Sequence, residues 1–170
     1  MHHAAVRPFL PSVSPFAAGV LACLFATVAL TGCNSPEVDA VREYKAFLDK
    51  AKSPLAAMNK AREELYQLGD VQQMLPLFQD KLLPQVRTLS DLARTQPKPA
   101  TRLGDIHDTL RETLQRYADA TDRLTTKLKS KKEDDRESAI VAWGEDDKRF
   151  GDEMNALAND LAKYLDEVKK

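Results

Sequence analysis

Glycine, cysteine and histidine are scarce in this chain, and their scarcity removes most familiar chemistries before any pattern is read. Six glycines and two cysteines in 170 residues supply neither a Gly-rich loop to cradle a phosphate nor a cysteine pair, and no His-Glu-x-x-His stretch offers a zinc site. His107 is the only histidine beyond residue 3, so the two Glu-x-x-His elements of a di-iron bundle are missing. The Cys-x-x-Cys-His of covalent haem is missing as well. Aromatics make up 6% of the chain and no run alternates Val, Ile and Thr with polar residues. That balance argues against a sheet protein and for helices. With 25 basic against 26 acidic residues, the chain has no polycationic surface for nucleic acid. No catalytic set, metal-ligand cluster or resident cofactor is expected.

Acidic residues are absent altogether from positions 1–32, where Arg7 is the one Lys or Arg. Residues 16–30, "FAAGVLACLFATVAL", carry no charge. This run falls short of the ~20 residues that cross a bilayer as a helix. It has the length of the apolar region of a signal peptide, with Arg7 and the amino terminus as its positive leading end. Pro8, Pro11 and Pro15 disfavour a helix before it.

The run ends in Leu30-Thr31-Gly32-Cys33, which resembles the lipobox of bacterial lipoproteins, Leu-[Ala/Ser/Thr]-[Gly/Ala]-Cys. The resemblance implies that Cys33 is alkylated by diacylglycerol, that residues 1–32 are removed, and that the new terminal amine is acylated. Two or three acyl chains hold a protein stably on a membrane where one does so only marginally. Asn34 follows the cysteine. In enteric lipoproteins an Asp there retains the protein in the inner membrane, so the resemblance favours the outer membrane, with the domain facing the periplasm. Cys23 would leave with the signal and Cys33 would be blocked, leaving no disulfide to staple the fold. Taking Arg7 from the 25 basic residues leaves 24 against 26 acidic, a mature charge of −2. The expected organisation is a signal at 1–32, a lipidated tether at 33–36 and a helical domain at 37–170.

The helical domain reads as an all-α, up-and-down four-helix bundle, the alternative being three long helices with a broken second segment. The first segment, about 36–68, starts at a Ser35 cap with Pro36 in its first turn. It carries Val41, Tyr44, Leu48, Ala51, Leu55, Met58 and Leu65 on one stripe, with a kink or restart expected at Pro54 and caps at Gly69 and Asp70. The second, about 71–94, is the least regular because it holds Pro76 and Pro84. "TQPKPA" at 95–100 is the clearest linker. The third, about 101–129, lines up Leu103, Ile106, Leu110, Leu114, Tyr117, Leu124 and Leu128. A turn within 129–137 follows, where Asp134 and Glu137 resemble a capping box. The fourth keeps steps of three and four through Ile140, Trp143, Asp147, Phe150, Met154, Leu157, Leu161, Tyr164 and Val168, a coiled-coil-like seam.

Four details invite a role. Asp147 is the one acid on the fourth seam, and a hairpin turning near Lys132 places it opposite Tyr117, whose hydroxyl can donate to it. Two glycines, Gly144 and Gly151, follow Trp143 and Phe150 at a seven-residue interval, at a cost of ~1 kcal/mol each relative to Ala. Either a close helix approach or a shallow groove formed by Trp143, Gly144, Asp147, Phe150 and Gly151 would account for them. Finally, Met58, Met74, Met154 and His107 could in principle serve haem as in four-helix b-type cytochromes, although core methionines and a boundary histidine explain them as well. The terminal Lys169-Lys170 is similar to the lysine end through which small coiled-coil outer-membrane lipoproteins join peptidoglycan. The sequence therefore suggests a lipid-anchored, non-catalytic bundle that contacts an envelope protein or peptide. The alternatives are a structural spacer touching peptidoglycan and, less favoured, a small-ligand or haem carrier.

Overall fold

Ser35 begins the fold. In the computed structural model, which describes residues 35–68 and 71–168, its side chain accepts the Val38 N–H at 3.3 Å and Pro36 occupies the first turn. The expected signal, lipobox and Asn34, the caps at Gly69 and Asp70, and Lys169-Lys170 lie outside the described residues. Helix α1 spans Pro36–Gln67 and passes through Pro54 without a break. It ends at Leu68 in an extended conformation, with the Leu68 N–H donating back to the Leu65 carbonyl.

Helix α2 covers 71–95 in three runs, α-helical at Val71–Pro76, π-helical at Leu77–Leu82 and α-helical again at Leu83–Thr95. The Leu83 N–H reaches the Phe78 carbonyl five residues back. A proline ring in a regular helix collides with the carbonyl four residues before it. The widened turn ahead of Pro84 moves that carbonyl aside, so the irregularity expected of this segment takes the form of a π turn within a continuous helix. Helix α3 is Leu103–Lys127 and α4 is Glu133–Val168. The turn between them is tighter than the sequence suggested. Helix α4 already begins at Glu133, ahead of the Asp134–Glu137 pair, and Ser130 Oγ organises the turn by accepting the Lys132 N–H and donating to Asp135.

The four helices form an all-α, up-and-down bundle, and no strand occurs among the described residues. The α3–α4 pairing runs antiparallel through Thr113–Glu153, Tyr117–Asp147 and Thr121–Trp143. Helix α2 meets α3 in the same sense through Ala93–His107 and Ser90–Gln115. One end of the bundle therefore gathers the start of α1, the 96–102 connection and the last turn of α4. There Thr101 and Tyr164 share a hydroxyl bond and Arg102 pairs with Glu167. At ~1.5 Å per residue, the 36 residues of α4 span about 54 Å.

Burial shifts two of the expected stripes. On α3 the core side passes through Leu103, His107, Leu114, Tyr117, Thr121 and Leu124, leaving Ile106 and Leu110 half-buried. On α1, Phe47 is buried while Leu48, Ala51 and Leu55 are half-buried. The connection from α2 to α3 is held by close approach. A Cβ on Gly104 would lie 2.3 Å from the Pro99 carbonyl oxygen, so only glycine lets the 96–102 segment cross the first turn of α3. Lys98 then reaches Asp108 at 2.6 Å.

Candidate functional site

Among the described residues, one ion pair is buried in the core, and it joins the first and last helices. Arg62 on α1 meets Asp147 on α4 in a fork, Nε to Oδ1 at 2.7 Å and a terminal nitrogen to Oδ2 at 2.8 Å. The Tyr117 hydroxyl donates to Oδ1 at 2.5 Å from α3, and the Tyr66 hydroxyl donates to Oδ2 from α1. A carboxylate offers about four acceptor positions, and here all four are taken. Asp147 is fully buried and Arg62 is 6% exposed.

Aromatic rings wall the cluster. Tyr117 stacks on Phe150 with centroids 4.0 Å apart, and the Arg62 guanidinium lies 5.6 Å from the Phe150 centroid. Trp143 meets Phe78 of the π turn edge-on at 4.7 Å. The Trp143 indole N–H donates to the Thr121 hydroxyl, which in turn donates to the Tyr117 carbonyl. Burial raises the ionisation of Tyr66 and Tyr117 far above the ordinary phenol range, and the charge of Asp147 adds to it. Burial works against the charged form of Arg62, but Tyr117 and the bond to Asp147 outweigh it. Both phenols therefore remain donors, and the guanidinium stays charged.

Chemically this is a clasp. Both oxygens of Asp147 are engaged, by two N–H groups of Arg62 and by the two phenol hydroxyls. An ion pair in such a place adds little net stability over a well-packed apolar pair, yet losing one partner is costly, so the arrangement enforces one pairing of helices.

The sequence expectations map onto this clasp unevenly. Asp147 does face Tyr117, as the hairpin register requires. Trp143, Gly144 and Phe150 also gather here, but as core: Trp143 and Phe150 are each 3% exposed and Gly144 is buried. These rings face the bundle interior, although Phe150 also lines a surface depression. Gly151 is half-buried, and a Cβ there would come 3.9 Å from an Arg62 nitrogen, an ordinary contact. Close helix approach therefore does not demand that glycine.

Arg62 and Tyr66 were not singled out by sequence reasoning, although a signal existed. The α1 stripe steps through 55, 58 and 65 and omits the position its rhythm calls for, 62, because that position is charged. A cation missing from one seam and an acid present on another are complementary marks.

His107 is also core, and not the boundary residue expected. It is 1% exposed. The Ala93 carbonyl, 2.9 Å from Nε2, can only accept, so Nε2 carries the hydrogen. Nδ1 then accepts from the Tyr44 hydroxyl at 3.2 Å. Neither ring nitrogen has a lone pair free for a metal, and Met58, Met74 and Met154 are buried core. No group of three metal-ligating side chains occurs among the described residues.

Among the described residues, the surface depressions include two of note. One of about 640 Å³ opens between Ser35, Pro36, Thr101, Arg102, Tyr164 and Val168, beside the start of α1. Another of about 250 Å³ lies over Tyr117 and Phe150, where Arg116 and Arg149 both pair with Glu153. Among the described residues, no helix is long and apolar enough to cross a membrane. Neither the family models, the curated proteins nor the solved structures contain a match to this chain.

Proposed function

We propose that the protein is a lipid-anchored, non-catalytic helical bundle of the bacterial cell envelope, acting through contact with an envelope protein or peptide. The observation that carries this reading is the adjacency of two sequence devices. Leu30-Thr31-Gly32-Cys33 closes an uncharged run that follows Arg7, and the Ser35 cap of α1 stands two residues past that cysteine. The anchor would thus be a modified Cys33, and the folded part would begin almost at the lipid surface. Asn34 favours the outer membrane with the bundle facing the periplasm. The clasp supports a non-catalytic role, because its carboxylate, guanidinium and phenol protons are directed at one another.

Intact mass of the membrane-extracted protein tests the anchor. A chain that starts at Cys33 and carries acyl mass is expected, and Cys33→Ser should move the protein to the soluble fraction. Retention of residue 1 or an unmodified Cys33 would overturn the reading. The length of α1 and α4 favours a second reading, a spacer that touches peptidoglycan. Co-sedimentation of the mature domain with purified cell wall would support it over protein contact.

A further inference from the structure

Among the described residues, two buried polar contacts join α1 to other helices, and they differ in kind; an exposed Lys81–Glu64 pair lies beside the clasp. The clasp holds Arg62 and Tyr66 near the end of the helix. The other pin lies nearer its start, where the Tyr44 hydroxyl meets His107 of α3. The rings of Tyr44 and Phe47 stand edge-to-face with the imidazole, at centroid distances of 5.6 and 5.5 Å. The far side of that imidazole supports the end of α2, since Nε2–H donates to the Ala93 carbonyl, an acceptor in its last turn. Three helices therefore converge on one titratable ring.

We propose that this junction is an acid-sensitive joint, at which protonation of His107 releases about the first four turns of α1 while the clasped end of the helix stays in place.

The chemistry is a donor conflict. Neutral His107 has one N–H and one lone pair, and each has the partner it needs. A proton added at Nδ1 faces the Tyr44 O–H, so two donors meet. The phenol must rotate to offer its oxygen, which turns its own proton toward apolar neighbours, and an unmet buried hydroxyl is costly. The charges acting on the ring are mixed. Asp108 on α3 favours the charged form, while Arg111 on α3 and Lys98 of the 96–102 segment oppose it. From α1 the ring faces a phenol and the Phe47 ring, and from α2 a carbonyl. Burial dominates and holds the imidazole below its ordinary 6.5.

Pro54 makes the release local. It stands between the two pins and has no N–H to give to the Lys50 carbonyl, so the hydrogen-bond ladder of α1 is interrupted there. Opening of 36–50 then ends at an existing gap in the ladder, the usual limit of a cooperative unit.

Hydrogen exchange on the full chain in detergent micelles tests the joint, with rates corrected for intrinsic pH dependence and compared at about pH 7.5 and about pH 5, either side of an ordinary histidine. Protection of amides in 38–47 should fall about tenfold or more at the lower pH, while 58–66 and the middle of α4 keep theirs. His107→Gln can donate to Ala93 and accept from Tyr44 but does not titrate, so it should abolish the difference. Uniform loss across all four helices, or an undiminished pH effect in H107Q, would overturn the proposal. Should H107Q fail to fold, a wild-type NMR titration decides: the His107 ring and the Tyr44 and Phe47 ring signals should shift with one midpoint. Independent titrations sink the joint. None of these outcomes depends on lipidation, so the joint and the anchor can fail separately.

Discussion

Asp147 is the residue on which the bundle's geometry depends most. Replacing it with Asn would leave the Arg62 charge buried beside a neutral amide that brings donors of its own. Breaking a buried pair in this way costs about 3–5 kcal/mol. Urea denaturation of Asp147→Asn should therefore show a large fall in midpoint. Tyr117→Phe, which keeps the Phe150 stack and loses one bond to a charged acceptor, should cost about 1.5–3 kcal/mol. A loss below about 1 kcal/mol for Asp147→Asn would show the clasp to be hydrated or dispensable. Gly151 makes the opposite prediction. With 3.9 Å of clearance, Gly151→Ala should stabilise by about 0.5–1 kcal/mol through helix propensity.

His107 adds a pH dependence at the same scale. Between the ordinary 6.5 of the unfolded chain and the depressed value of the folded one, the unfolded state holds more protons. Stability therefore rises with pH across that interval. The contribution is complete above 6.5 and declines as the pH falls below it, which urea midpoints across the interval would reveal and H107Q would flatten. How much of this could be read in advance differs residue by residue. Asp147 and its Tyr117 partner followed from hairpin register alone. Arg62 required noticing a charge where α1's rhythm wanted an apolar side chain. The burial of His107 was hidden because Ile106 beside it is the more apolar choice, and a shift of one position on α3 decides between them.

Among the elements, the prolines act by position. Pro36 starts a helix, Pro84 is accommodated by the π turn at Leu77–Leu82, and Pro54 interrupts the ladder of α1 without ending the helix. The existence and type of all four helices were legible because their apolar spacing is sustained over 25 residues or more in α1, α3 and α4. A π turn was not legible, since one extra residue in a turn leaves no mark beyond the nearby prolines. Pro54→Ala restores the bond to the Lys50 carbonyl and should join the two halves of α1. Exchange rates for 38–47 and 58–66 should then converge, and the acid effect on the first stretch should shrink. The connection ahead of α3 gives the sharper test. Gly104→Ala sets a Cβ against the Pro99 carbonyl at 2.3 Å, so the 96–102 segment must move. A lower urea midpoint is expected, with loss of the Lys98–Asp108 pairing visible as shifted Asp108 signals. An unchanged midpoint would mean that the connection lifts freely.

At the scale of the whole molecule, the start of α1, the 96–102 connection and the last turn of α4 share one end of the bundle, and Ser35 at that end stands two residues past the proposed anchor in sequence. Cys33→Ser should therefore change where the protein resides and not how it folds. Equal urea midpoints for the detergent-extracted wild type and the released variant would check this. Partner identity was not legible in the sequence, and the reason is physical: the chain's unusual side chains are spent on holding its helices together, while its exposed charges form short-range pairs such as Arg42–Asp39 and Lys148–Asp152.

The two pins on α1 are 18 residues apart, from Tyr44 to Arg62, about 27 Å along the axis at the helical rise. Were Cys33 tethered as proposed, tension would enter the described fold at the N-terminal end of α1. A pull along the helix axis loads both pins together in shear, and the forked ion pair with its two phenols resists it. A sideways pull loads the Tyr44 pin alone, and the helix peels from its first turn toward Pro54. A bundle held in that way would be stiff when stretched away from the proposed anchor and compliant when pried, and acid would lower the force needed for prying while leaving the stretching strength to the clasp.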